Sequence, residues 1–212
     1  MRLYLIRHGQ TAWNAEQRAQ GHADISLDEL GLEQARQLGE RFAGKRIDRI
    51  LTSDLERARY TAAPIGLSTG APIEETTILR ERKFGDWEGE YFRDIASWWP
   101  ALEAIQGVNH LKLRPPNGES FADVWNRLEP LVQDLMHDQS TTVLVSHGGT
   151  CGLLMARLIL GNLETARAFR FANTSVTKLE RRHDGLFTIQ YYNDTRHLST
   201  GAMSGSVDGS TR

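Results

Sequence analysis

The sequence predicts an α/β protein with three layers, α/β/α, around a mostly parallel central sheet. Two observations carry this. The short apolar runs are continuous, not alternating, so both faces of each strand are covered. Helical patterns separate the runs, as crossovers between parallel strands require. The clearest runs are 3–6 (LYLI), 50–51 and 143–145.

After the first run, Leu32, Ala35, Leu38, Gly39 and Phe42 recur at helical spacing. After the second, Asp54 is placed to cap a helix carrying Leu55, Ala58, Ala62 and Ile65. Ser120 opens a further helix with Phe121, Val124, Leu128, Leu131, Val132 and Leu135, in which Pro130 forces a kink or a division. Leu153, Leu154, Ala156, Leu158 and Ile159 form the helix that follows the third run. Two more strands are expected at 176–179 and 186–192, joined around His183-Asp184-Gly185. No internal repeat is present. From 199 the chain turns small and polar, ending in GAMSGSVDGSTR, which reads as a disordered tail behind a single domain at 1–198.

A chain of 212 residues suits one large domain. With 25 basic and 27 acidic residues the net charge is -2, which gives no electrostatic case for nucleic acid or an anionic membrane as partner. Cys151 is the only cysteine, so no intramolecular disulfide forms and a reducing compartment is expected. The apolar run at 3–6 is too short for a signal peptide, and no stretch approaches the ~18 apolar residues of a membrane span. A cytoplasmic location follows as an expectation. A homodimer is compatible with such a fold, but the sequence does not specify it.

Three strand ends carry unusual chemistry. The first ends in Arg7-His8-Gly9, and the third in Ser146-His147-Gly148-Gly149 before a helix. The second leads through Thr52-Ser53-Asp54 to Arg57 in a first helical turn. Taken singly, a histidine beside glycine is an ordinary turn residue and Arg57 an ordinary solvated one. Repetition changes that reading, because ligands in open α/β sheets sit beyond the carboxyl ends of the strands. Glycine admits a ligand close to the backbone and exposes N–H groups at a helix start, where an anion is the natural occupant. Two arginines make it a phosphate or another tetrahedral oxyanion. No metal is expected: the arginines repel a cation, no HxH or HExxH occurs, and Asp54 or Glu81 would have to complete the site. The loops GxxxxGK[ST] and GxGxxG are absent, and no cofactor is expected.

Seven blocks in order then carry a resemblance: LYLIRHGQTAWN at 3–14, RAQG at 18–21, LDELGLEQA at 27–35, TSDLERARYTA at 52–62, LRERKFGDWEG at 79–89, PNGES at 116–120 and VSHGG at 145–149. Over 2–198 the chain resembles the histidine phosphatase superfamily, in the branch that includes cofactor-dependent phosphoglycerate mutases. The resemblance implies a phosphoglycerate mutase-like fold with His8 as nucleophile, forming a phosphohistidine while its other ring nitrogen donates to a backbone carbonyl. It implies that Arg7 and Arg57 clamp the phosphoryl oxygens and that His147, if protonated, adds charge as the transition state forms. Asn14, Gln20, Gly21 and Gly148 would complete the phosphate pocket. Glu81 would supply the leaving-group proton, which requires desolvation or nearby negative charge. Phe84, Trp87 and the glycines around them would pack the Glu81 loop.

Within the resemblance, the short stretch between Glu81 and His147 and the segment FGDWEG are similar to phosphatase members more than to mutases. The expected substrate is a small phosphorylated metabolite, its phosphate released to water. A mutase is the alternative, and a non-catalytic phospholigand binder a further one, although every matched catalytic position keeps the expected residue type. A lid is expected at about 90–118, setting substrate choice. There Phe92, Trp98 and Trp99 either face the leaving group or bury a short helix, and His110, Lys112 and Arg114 either read a second anion or are solvated. Arg196 and His197, after the last strand, are either at the pocket entrance or an ordinary strand exit.

Overall fold

The computed structural model describes residues 1–199 and Ala202. Its strands are β1 Arg2–Arg7, β2 Arg49–Ser53, β3 Ile73–Thr76, β4 Thr141–Ser146, β5 Val176–Arg181 and β6 Phe187–Asp194. Its helices are α1 Ala12–Ala15, α2 Glu29–Phe42, α3 Glu56–Thr69, α4 Phe92–Gln106, α5 Phe121–Arg127, α6 Glu129–His137, α7 Gly148–Leu158 and α8 Leu163–Ala166.

One sheet runs in the order β3-β2-β4-β1-β5-β6. The first four strands of that order are mutually parallel, while β5 and β6 join antiparallel. Successive residues of β1 serve opposite faces. Leu3 and Leu5 join Leu144 in a core packed by α5, α6 and α7. Tyr4 and Ile6 join Val143 and Val145 beneath α2 and α3. This is the expected three-layer arrangement, and it explains the unbroken apolar runs.

The register places the site. Arg7 lies opposite Ser146, and Thr52 opposite Val145, so the three chemically unusual strand ends emerge level and adjacent.

Several local expectations change. β3 (IEET) was not foreseen, because on the sheet edge its side chains are largely exposed and carry no apolar pattern. α3 begins after Leu55 without a side-chain cap; Asp54 instead accepts from Arg80 at 2.8 and 2.5 Å. Pro130 divides the 120–135 segment: Leu128 closes α5, and the proline occupies the first turn of α6, where its missing N–H costs nothing. Two residues of the segment read as a disordered tail dock on α2. Ser199 N–H donates to Gln37 at 2.8 Å, and the buried Ala202 carbonyl accepts from Gln34 at 2.9 Å. The rest of that segment lies outside the described residues. No helix among the described residues is long and apolar enough to cross a membrane.

Candidate active site

β1 delivers Arg7, 2% exposed, whose Nη1 donates to the Phe171 carbonyl at 2.7 Å. Its buried Nε has no hydrogen-bond partner among the described residues, an uncommon condition for a guanidinium N–H. His8 stays tied to β4 through its backbone N–H, which donates to Ser146 O at 2.9 Å. Its ring Nδ1 donates to the Gly9 carbonyl at 2.7 Å. That bond selects the tautomer with an unprotonated Nε2, as the nucleophile role requires. Burial, then the charges of Arg57 and Arg7, hold His8 well below the usual histidine range, so the ring is neutral.

β4 delivers His147, fully buried, 5.1 Å from His8 between ring centroids. Its Nδ1 accepts from Arg57 Nε at 3.2 Å, and its Nε2 bonds Ser53 Oγ at 2.9 Å. His147 was expected to add charge only if protonated; burial first, then Arg57 and His8, push it well below the usual range. His147 is a neutral hydrogen-bonding group that aligns Arg57. Arg57, in the first turn of α3, is itself fully buried. It donates to the Ala23 and Gly21 carbonyls at 2.8 Å each. Desolvation lowers it to about 10, which leaves it charged at neutral pH. Gly21 must be glycine: its φ is +54°, and a Cβ would lie 2.3 Å from Glu88 Oε1.

Glu81 reaches the same place from irregular chain. Its carboxylate accepts from the N–H groups of Gly149 at 3.0 Å, Thr150 at 3.1 Å and Arg82 at 2.9 Å. The Thr150 hydroxyl lies 3.2 Å from the carboxylate but donates its one proton to the Arg80 carbonyl at 2.8 Å. The carboxylate therefore caps the positive end of α7. A Cβ on Gly149 would stand 2.8 Å from it, so glycine is what admits it.

All nine expected site residues, Arg7, His8, Asn14, Gln20, Gly21, Arg57, Glu81, His147 and Gly148, line one cavity of about 320 Å³, together with Arg18, Phe84 and Phe92. Three guanidinium groups face one carboxylate, a balance that suits an anion.

Some functional residues escaped the sequence reading. Arg18 sits in the RAQG block but carried no role; it donates to Gly89 O and Tyr91 Oη at 2.8 Å each while lining the cavity. Buried Asn173 donates to the His8 carbonyl at 2.9 Å and to Asn14 Oδ1 at 3.3 Å, and nothing local in its loop signals this. Arg127 donates to the carbonyls of Ile78 (2.7 Å), Arg80 (3.1 Å) and Glu81 (3.2 Å). It also pairs with Glu119, which accepts from Lys83 N–H at 2.9 Å. His22 Nε2 donates to Glu81 O at 2.9 Å. These groups hold the Glu81 loop, and Glu119 of PNGES was the only part of them with a sequence signal.

Other expectations fall away. In the lid segment only Phe92 lines the cavity; Trp98 and Trp99 pack on Trp87 at 5.4 and 4.8 Å, the helix-burying reading. His110, Lys112 and Arg114 do not line it. Arg114 forms a bidentate pair with Asp123, and His110 meets Arg167. Arg196 and Arg41 share Asp194, and His197 bonds Arg41, a strand-exit cluster that does not line the cavity. Among the described residues no group of three or more His, Cys, Asp or Glu side chains is arranged to hold a metal ion.

The profile of the histidine phosphatase superfamily (branch 1) matches residues 3–195. The chain therefore belongs to that superfamily. It is 37% identical to the glucosyl-3-phosphoglycerate phosphatase of Mycolicibacterium vanbaalenii over 167 residues, 74% of each chain. It is 31% identical to phosphoglycerate mutase-like protein 4 of Arabidopsis thaliana, over 98% of this chain and 91% of that one. The crystal structure of the alpha-ribazole phosphatase from Shigella flexneri superimposes with a TM-score of 0.82 at 31% identity, covering 92% of this chain and 97% of that one. The phosphoglycerate mutase-like α/β fold is thereby established.

Proposed function

We propose that this protein is a metal-independent phosphomonoester hydrolase that acts on a small phosphorylated metabolite through a phosphohistidine at His8. One observation carries the reading: the Nδ1–H···O=C bond to Gly9 leaves the Nε2 lone pair of a neutral His8 facing a cavity lined by guanidinium groups. Superfamily relatives that are themselves phosphatases support it.

The substrate phosphate would lie between Arg7 and Arg57, with Asn14, Gln20 and the backbone of Gly21 and Gly148 around it. As the His8 Nε2–P bond forms, the ester P–O bond breaks and the departing oxygen takes a proton from Glu81. In the second half Glu81 takes a proton from water as the water oxygen attacks phosphorus. The N–P bond then breaks, releasing inorganic phosphate and restoring neutral His8.

The choice between hydrolase and mutase rests on cations. A mutase must retain a second anionic group in a closed pocket. Here Arg18 is, among the described residues, the one guanidinium lining the cavity beyond Arg7 and Arg57, and it is already bonded to Glu16, Gly89 and Tyr91. We place the enzyme in the cytoplasm, in keeping with a single, buried, reduced Cys151.

Phosphate release from a panel of phosphomonoesters in EDTA tests the proposal. Turnover should persist in the chelator and be inhibited competitively by orthovanadate, which mimics the transition state. Loss of turnover in EDTA overturns the metal-free mechanism. Isomerisation of 3-phosphoglycerate with its bisphosphate, without net phosphate release, makes the protein a mutase.

A further inference from the structure

β1 ends at Arg7, and the His8 N–H still donates to Ser146 O, so the sheet fixes where His8 stands. The direction in which its ring faces depends on the next two peptide units, because Nδ1 donates to the Gly9 carbonyl. Those units lie beyond the strand, and buried side chains from elsewhere in the chain hold them.

The unit between His8 and Gly9 is gripped at both ends. Its carbonyl accepts from Asn173 Nδ2 at 2.9 Å, and its N–H donates to Thr61 Oγ1 at 2.9 Å. The Thr61 hydroxyl gives its one proton to the Arg57 carbonyl at 2.7 Å, so it meets Gly9 as an acceptor. The unit between Gly9 and Gln10 carries the carbonyl that His8 bonds, and its N–H donates to Gln34 Oε1 at 2.9 Å. Gln34 Nε2 donates in turn to the Ala202 carbonyl at 2.9 Å, so its two partners settle which way round the amide lies. α2 comes this near because backbone meets backbone: a Cβ on Gly31 would stand 2.0 Å from Gln10 O, and one on Gly9 2.7 Å from Gly31 O. Gln34 follows one turn later, on the buried face that also carries Ala35, Leu38 and Phe42. Thr61 lies among Ala58, Ala62 and Ile65 on the buried face of α3. Polar groups in such apolar layers cost free energy unless bonded, and what these two bond is the chain around the His8 ring.

We infer that Thr61 and Gln34 are positioning residues for the nucleophile: by holding the peptides on either side of Gly9 they keep the His8 Nδ1–H···O=C bond, and with it an Nε2 lone pair aimed at phosphorus. The inference rests on the phosphohistidine reading above.

The test uses Thr61→Val, which keeps the shape without the hydroxyl, Thr61→Ser, which keeps the acceptor, and Gln34→Met. In Thr61→Val and Gln34→Met, kcat/KM should fall about tenfold or more, the scale of a misaimed reacting group. The losses on p-nitrophenyl phosphate and ethyl phosphate should agree within about threefold, since the aim of a nucleophile does not depend on the leaving group. The Ki of inorganic phosphate should move less than about threefold, because the guanidinium groups are untouched, and Thr61→Ser should return kcat/KM to within about threefold of wild type. Unchanged kcat/KM in both variants overturns the inference. So does a loss that Thr61→Ser shares, or one confined to ethyl phosphate, which would place the effect at Glu81. A second readout needs no turnover: ¹⁵N spectra of histidine-labelled protein, with His8 assigned through His8→Ala. The wild-type ring should be protonated at Nδ1, and Thr61→Val and Gln34→Met should populate the form protonated at Nε2. Where neither variant folds, the wild-type ring decides, and protonation at Nε2 overturns the inference. Absence of turnover of any ester by the wild type overturns the phosphatase reading itself, and the positioning role then stands or falls on whether the tautomer shifts in the two variants.

Discussion

The two halves of the active site are built differently. Arg7, His8 and His147 stand at the ends of neighbouring parallel strands, where the ladder that pairs Arg7 with Ser146 fixes their height and spacing. All three are at most 3% exposed. Glu81 sits on irregular chain between β3 and α4. Its position depends on side chains from elsewhere, Arg127, His22 and Glu119, and on the N–H groups of α7. One half inherits its precision from the sheet. The other assembles it from hydrogen bonds worth roughly 1 kcal/mol each. Substitutions in the first half should therefore remove the chemistry, and those around the second should detune it.

The largest effect belongs to His8. His8→Ala should lower kcat by about 10⁴-fold or more on every ester, because no other group supplies the nucleophile. A residual rate within a hundredfold of wild type, in protein free of contaminating phosphatase, would show that water attacks phosphorus directly.

Next comes the acid half. Glu81→Gln should cost about 10²- to 10³-fold on alkyl phosphates but less than about tenfold on p-nitrophenyl phosphate, whose leaving group departs without a proton. Equal losses on both would take Glu81 out of the acid role and erase the distinction between the halves.

The same contrast governs what could be read from sequence. The strand-borne residues announce themselves, since continuous apolar runs that stop at Arg7-His8-Gly9 and Ser146-His147-Gly148 mark strand ends facing a ligand. Glu81 has no such flag and was reached through the LRERKFGDWEG resemblance. Asn173, Arg127 and His22 were missed because their partners are backbone carbonyls 165, 49–46 and 59 positions away in sequence, which no local pattern encodes. β3 was missed for a different reason: an edge strand with exposed side chains carries no hydrophobic signature. The protonation of His147 stayed conditional in the sequence reading, because burial beside Arg57 is a property of the assembled site, not of the motif.

A smaller effect isolates the loop support. Arg127→Met keeps the aliphatic bulk but removes the Arg127 hydrogen bonds to the Ile78, Arg80 and Glu81 carbonyls and its ion pair with Glu119, leaving those from His22 and Lys83 in place. The kcat on alkyl phosphates should fall about tenfold through misplacement of the acid. The kcat on p-nitrophenyl phosphate should change less than about threefold, and Tm should drop by a few degrees. Parallel losses on the two substrates would make Arg127 a stability residue without a part in positioning Glu81.

The smallest effect reverses the comparison, because the half that is mechanically firm is the half vulnerable to acid. His8 and His147 are held neutral in the fold, both well below the usual histidine range because of burial and the Arg57 charge. In the unfolded chain each takes up a proton near pH 6.5. Below that pH the unfolded state binds more protons, so stability falls as pH falls. The slope is about 1.4 kcal/mol per pH unit for each histidine that stays neutral in the fold. His197, lowered to about 4 by burial and Arg41, adds to the same slope, and the partly buried His22 adds less. Aspartates lowered by their ion pairs and hydrogen bonds, such as Asp138 at about 2, enter only at more acid pH. Urea unfolding at pH 7.5 and 5.5 should therefore show a clear loss at the lower pH. Arg127→Met should leave that pH difference intact, and His147→Asn should shrink it. An unchanged slope in His147→Asn would mean that His147 is charged in the fold and adds a fourth cation to the pocket beside Arg7, Arg18 and Arg57.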